Sequence, residues 1–79
     1  MDIKAIKLLS AQFSSEELSK MADVFEATGK AQLETKVDPG EQMSDYLQAA
    51  EVKMIMENQQ LDINAAIREF SKRVRGILN

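Results

Sequence analysis

Residues 38–58 read DPGEQMSDYLQAAEVKMIMEN, and this stretch decides the fold. Asp38 is a favourable helix N-cap, and Pro39 suits the first helical position, where a backbone N–H has no intrahelical partner in any case. Glu41 follows the cap at the spacing of a capping box. Because no proline or glycine follows Gly40 in this stretch, the pattern predicts one long helix over residues 39–58.

This predicted third helix carries apolar side chains on two sides. One stripe consists of Met43, Tyr46, Leu47, Ala50 and Met54, and the other consists of Ala49, Val52 and Met56. A helix that is apolar on two sides either is central to its own bundle or lies between its own core and another protein. We expect Met43 and Met54 to fill the core. We expect Ala49, Val52 and Met56 to form a protein-interaction surface that meets a second copy or a different protein.

Capping signals predict three further helices, which cover residues 2–12, 15–28 and 62–77. Asp2 and Asp62 are the expected N-caps of the first and last of these. Ser14 and Glu17 have the spacing of a capping box at the start of the second, and Gly29 supplies the left-handed residue that ends it. The chain is therefore expected to form one all-α domain over residues 1–79, a small four-helix bundle.

The fourth helix is apolar on one side only. Its stripe consists of Ile63, Ala66, Ile67, Phe70, Val74 and Ile77. Such a one-sided helix is expected to lie on a core. The side chains that we expect to be buried together are Phe25, Leu47, Ala50, Ile67, Phe70 and Val74.

An extended connector is predicted at about residues 30–38. Apolar Ala31, Leu33 and Val37 alternate with polar residues at a period of two, which is typical of a strand. A single strand in a helical chain has no partner to pair with. The segment 31–37 is therefore either an extended loop or a strand that pairs with its copy in a second chain.

The composition excludes several kinds of chemistry. The chain has no Cys and no His, which removes thiol nucleophiles, zinc sites built on these residues and imidazole bases. Asp38, Glu41 and Asp45 form an acidic ridge at the start of the third helix, but first-turn carboxylates usually complement the helix dipole. We expect no catalytic residues, no metal and no cofactor, and hence no enzyme.

The fourth helix also carries a basic ridge. Arg68, Lys72 and Arg75 are expected to face solvent, where they are candidates for contact with nucleic acid. The formal net charge of −3 opposes such binding, and no aromatic residues are interleaved with the ridge to stack on bases. Nucleic acid is therefore not the expected partner.

The start of the chain shows no signal-peptide pattern, and its apolar runs are far too short to span a bilayer. We expect a soluble, cytoplasmic protein. No membrane association and no small-molecule substrate are expected.

The order of these signals resembles a family of short, uncharacterised bacterial proteins of the Bacteroidetes type. The matching features are Ser15-Glu16-Glu17-Leu18, Gly40-Glu41, Ala66-Ile67-Arg68-Glu69-Phe70 and Arg73-Val74-Arg75. The resemblance assigns no activity and no catalytic residues. Its members are often encoded near peroxiredoxin and thioredoxin genes, so the resemblance implies a redox-associated accessory role. A chain without Cys would assist such chemistry and not perform it.

Two functions from different classes follow from the sequence. The favoured one is a small, non-catalytic helical interaction protein, dimeric, that binds a protein partner through the second stripe of the third helix. The alternative is a dimeric DNA-binding regulator of the ribbon-helix-helix type, in which residues 31–37 pair between chains. Glu34 would then face phosphate-rich DNA, which argues against the alternative.

Overall fold

The computed structural model describes the backbone of residues 1–78 and the side chains of residues 1–75. It contains four helices over this range: α1 (Ile3–Gln12), α2 (Ser15–Thr28), α3 (Pro39–Gln59) and α4 (Ile63–Leu78). The prediction of an all-α fold with four helices is confirmed, and each predicted boundary lies within one residue of the observed one.

The helix boundaries could be predicted from the sequence because the predicted caps form in the structure. The Asp2 carboxylate accepts a hydrogen bond from the Ala5 N–H at 3.1 Å, and the Asp62 carboxylate accepts one from the Ala65 N–H at 2.8 Å. The capping box of Ser14 forms in both directions. Gly29 ends α2 with φ at 73°, in the left-handed region that favours glycine.

The start and end of α3 differ in detail from the prediction. The Asp38 carboxylate accepts from the Glu41 N–H at 3.0 Å, which is the first half of a capping box. The reciprocal bond from the Asp38 N–H to Glu41 is not among the hydrogen bonds of residues 1–75. At the other end, Gln60 adopts φ 54° and takes the left-handed position without being glycine.

α3 is the central helix, and α1, α2 and α4 all pack against it. Two clusters of buried side chains lie along it. The first unites α1, α2 and α3 through Leu9, Leu18, Met21, Ala22, Tyr46, Ala49 and Ala50. The second unites α1, α3 and α4 through Ile6, Val52, Ile55, Ala66 and Ile67. The two apolar sides of α3 therefore serve two halves of one bundle.

The prediction that Ala49, Val52 and Met56 form an exposed interaction surface is wrong. Ala49 and Val52 are fully buried within the chain, and Met56 is half-buried against the second cluster. The prediction assumed that α1 covers one side of α3 only. In the structure Ile6 of α1 lies in the second cluster and Leu9 lies in the first, so one helix bridges both.

The predicted core set is only partly correct. Ala50 and Ile67 are buried, but in different clusters, and Phe25 and Phe70 pack at the cluster edges. Leu47 is 55% exposed and Met54 is 42% exposed, because their face of α3 points away from the other helices. Val74 is 39% exposed. The side chain of Ile77 lies outside the described residues.

The connector between α2 and α3 contains no strand, as far as residues 1–78 are described. Of the two possibilities for residues 31–37, the structure contains the extended loop. Ala31 and Leu33 pack against the first cluster, whereas Val37 is almost fully exposed. The alternation of apolar and polar residues in the sequence therefore reflects a loop that packs one of its sides against the bundle.

Candidate functional site

The connector is held on α3 by the hydroxyl of Tyr46. This hydroxyl accepts a hydrogen bond from the Leu33 N–H at 3.3 Å and donates one to the Leu33 carbonyl at 2.8 Å. The Tyr46 ring is fully buried and meets Phe25 edge to face, with ring centroids 6.0 Å apart. One side chain thus satisfies both backbone groups of a loop residue that has no ladder partner.

Gln42 and Asp45, both buried, hold the next part of the connector. The Gln42 amide oxygen accepts from the N–H groups of Thr35 and Lys36, at 2.7 and 3.1 Å. The Gln42 amide nitrogen donates to the Thr35 hydroxyl at 3.0 Å, and that hydroxyl donates to the Asp45 carboxylate at 2.7 Å. Buried polar side chains are stable when they are bonded in this way.

Lys36 completes the network by joining the connector to both α1 and α3. Its ammonium group lies 2.6 Å from the Asp2 carboxylate and 2.7 Å from the Asp45 carboxylate. The Lys36 side chain is 25% exposed and that of Asp45 only 5%, so the pair is largely shielded from water. We call Asp2, Lys36 and Asp45 the lysine latch.

The latch shifts the pKa values of two of its members. Hydrogen bonds to Asp2 and then to Asp45 raise the pKa of Lys36 to about 12. The hydrogen bond from Lys36, followed by that from the Ala5 N–H, lowers the pKa of Asp2 below its usual 3.8. Both shifts favour the charged forms that the latch requires.

A groove of about 710 Å³ lies over the latch, between the start of α1 and the first half of α3. It is lined by Met1, Asp2, Ile3, Lys36, Glu41, Ser44, Asp45 and Gln48. We call it the latch groove. Its volume is within the range of ligand sites in proteins.

The latch groove is bordered by exposed apolar side chains. Ile3 lines it and is 47% exposed. Val74 continues the row of α4 from Phe70 and is 39% exposed. The Arg73 guanidinium lies 3.7 Å from the Glu51 carboxylate, which sets the last turns of α4 beside the middle of α3. Among the described residues, α4 contributes no side chain to the lining of the groove.

The structure places the other candidate residues apart from this groove. Arg68, Lys72 and Arg75 are exposed on α4, as predicted, and α4 packs on the rest of the bundle through its opposite side. Whether they contact nucleic acid stays a prediction. Three ionisable side chains in the middle of α3 are also engaged within the bundle: Tyr46 binds Leu33, Lys53 donates to the Ser10 carbonyl at 2.9 Å, and Glu51 pairs with Arg73.

The acidic ridge of α3 has separate structural roles. Asp38 caps the helix and Asp45 belongs to the latch, while Glu41 lines the groove. Groups of Asp and Glu that could hold a metal ion are absent from the described part of the chain. No pattern in the sequence marks Asp2 and Lys36 as partners, because they are far apart in the chain and their contact depends on the packing of α1.

The described fold defines a small all-α protein, and within it no helix is long and apolar enough to cross a membrane. A family model described as a family of unknown function (DUF6952) matches residues 1–79. The chain belongs to this family. No curated protein and no solved structure matches it significantly.

Proposed function

We propose that the protein is a small, non-catalytic interaction module that binds another protein through the latch groove. The observation that carries the proposal is the exposure of large apolar side chains beside a polar groove. Met1 and Ile3 line the groove and are 54% and 47% exposed. Exposed apolar groups rimmed by polar ones are typical of interaction sites.

The interface proposed here differs from the one predicted from the sequence, which consisted of Ala49, Val52 and Met56. Binding through Ala49 and Val52 would require the helices that cover them, α1, α2 and α4, to leave α3, because both side chains are fully buried. The argument for a homodimer rested on that stripe and loses its support. The resemblance to proteins encoded near redox enzymes suggests a redox-associated partner, which this chain would assist without a reactive thiol of its own.

The alternative of a ribbon-helix-helix regulator finds less support. The N–H groups of Leu33, Thr35 and Lys36 are bonded to side chains of α3. Pairing of the connector with a second chain along that edge would require these bonds to break. No observation favours the regulator over the interaction module.

Site-specific photo-crosslinking in the native cell tests the proposal. A photoreactive residue at position 3 is expected to give a discrete adduct with one protein. The matched control is the same residue at Val24, which is 53% exposed but lies on α2. Equal adducts from both positions, or none from position 3, would contradict the proposal.

A further inference from the structure

We infer that two copies of the chain associate through a second groove, which lies between the outer face of α1 and the connector. The groove has a volume of about 610 Å³, and its lining includes Lys4, Lys7, Leu8 and Glu34. We call it the α1 groove. It shares only Asp2 with the latch groove, and it is separate from the buried stripe of α3 that the sequence predicted as an interface.

Apolar side chains lie on the outer face of α1. Leu8 is 46% exposed, whereas Ile6 and Leu9 on the inner face of the same helix are fully buried. Ala11, one turn after Leu8, is exposed as well, so the two side chains are neighbours on the helix surface. A small alanine beside a leucine permits a second helix to approach closely. Burial of the leucine in such a contact would stabilise the complex.

Charged side chains of both signs accompany Leu8. Lys4 and Lys7 stand on α1, and Glu34 stands on the connector. Within residues 1–75, none of these three has an ion-pair partner. Asp2, the remaining charged side chain of the lining, belongs to the lysine latch. The groove therefore presents two ammonium groups and one carboxylate that are free to pair with another molecule.

A second copy of the chain complements both signs of charge. A purely acidic partner would repel Glu34, and a purely basic one would repel Lys4 and Lys7. In a dimer with twofold symmetry, each copy presents the same surface to the other. Glu34 of one copy then meets the lysines of the other, while the two Leu8 side chains cover one another. The chain itself thus carries the mixed charge and the apolar contact that this surface requires.

Sedimentation equilibrium over a wide range of protein concentrations tests the association. We expect a monomer–dimer equilibrium for the wild type. Leu8→Glu brings two carboxylates together across the twofold axis and should weaken the dimer at least about tenfold. Leu47→Glu is the matched control, because Leu47 is 55% exposed on α3 and lies outside the α1 groove. A wild type that stays monomeric at every concentration, or equal weakening by the two variants, would overturn the inference.

Variants with charges of one sign identify the occupant. Glu34→Lys makes the three unpaired side chains all positive, and the double variant Lys4→Glu/Lys7→Glu makes them all negative. Each variant alone should dimerise at least about tenfold more weakly than the wild type, because like charges meet. An equimolar mixture of the two should form heterodimers, which native mass spectrometry detects by the different masses of the chains. A mixture that stays monomeric, or a variant that dimerises alone as tightly as the wild type, would show that the copies do not meet through this groove.

Circular dichroism of every variant checks that its helical content is unchanged. Self-association is measured on the purified protein, whereas crosslinking at position 3 reports a partner in the cell. A monomeric wild type would therefore overturn the dimer and leave the proposed function standing. Capture of a different protein at position 3 would support the proposed function whichever result the sedimentation gives.

Discussion

At the scale of single residues, Lys36 connects three parts of the fold through one ammonium group. It lies on a loop, yet its ammonium group joins the N-cap of α1 to a buried carboxylate of α3. The helix cap and the loop therefore depend on one another. A charged side chain that holds two carboxylates also links the stability of the protein to pH.

The lysine latch predicts the titration of Asp2. Its pKa is held below 3.8 chiefly by Lys36. In Lys36→Met the carboxylate loses this partner, so we expect its pKa, measured by NMR, to rise toward the usual value. Lys20→Met is the control, because Lys20 is an exposed residue of α2 that pairs only with Glu16 in the described chain. An unchanged Asp2 pKa in Lys36→Met would contradict the latch.

The same shifts give the direction of the pH dependence. Asp2 has a lowered pKa, so its contribution to stability is present above its unfolded-state pKa and is lost as the pH falls through the folded value. Lys36 has a raised pKa, so its contribution is complete below 10.5 and is lost as the pH rises toward about 12. Denaturation of the wild type and Lys36→Met at several pH values should show the difference between them shrink at both extremes.

At the scale of elements, α3 determines the architecture because it is covered on two sides. Its first half packs with α1 and α2, and its second half packs with α1 and α4. The remaining side carries Leu47 and Met54, which are exposed. Residues on one helix therefore differ greatly in how much a substitution costs, although their apolar character in the sequence is similar.

Two substitutions on α3 test this arrangement. Val52→Glu places a carboxylate where the exposed fraction is zero, between α1 and α4, and we expect it to destabilise the fold by more than about 3 kcal/mol. Leu47→Glu changes a side chain that is 55% exposed and should cost less than about 1 kcal/mol. Urea denaturation followed by circular dichroism measures both. Similar costs for the two variants would show that α3 is not buried as described.

At the scale of the whole molecule, hydrogen bonds from α3 side chains attach the connector to the bundle. The Tyr46 hydroxyl, the Gln42 amide and the Asp45 carboxylate together bind Leu33, Thr35 and Lys36. This attachment brings Lys36 to the N-terminus of α1 and so forms the floor of the latch groove. The proposed binding site thus depends on the conformation of a loop.

Tyr46→Phe tests the attachment while leaving the ring in place. The variant leaves the Leu33 N–H and carbonyl without their partner, and we expect a loss of about 1–2 kcal/mol in the free energy of unfolding. Hydrogen exchange should accelerate more at the Leu33, Thr35 and Lys36 amides than at Glu17, which is capped within α2. Equal acceleration at all four amides would indicate global destabilisation and contradict a specific role in holding the connector.

The sequence by itself determined the helices and their ends. The signals that fix them, such as the Ser14 box, Gly29 and Pro39, act between residues only a few positions apart. Such interactions form in any tertiary context that permits a helix. The prediction of four helices and of a loop or strand at 31–37 could therefore be made without knowledge of packing.

Only the tertiary structure decided which apolar side of α3 is covered and where a binding groove forms. The periodicity shows that Val52 and Leu47 are apolar, but burial depends on where the neighbouring helices lie. The Lys36–Asp2 contact spans 34 positions in the chain. No local pattern encodes such a pairing, because it forms only when α1, the connector and α3 pack together. The candidate site consists of contacts of this long-range kind.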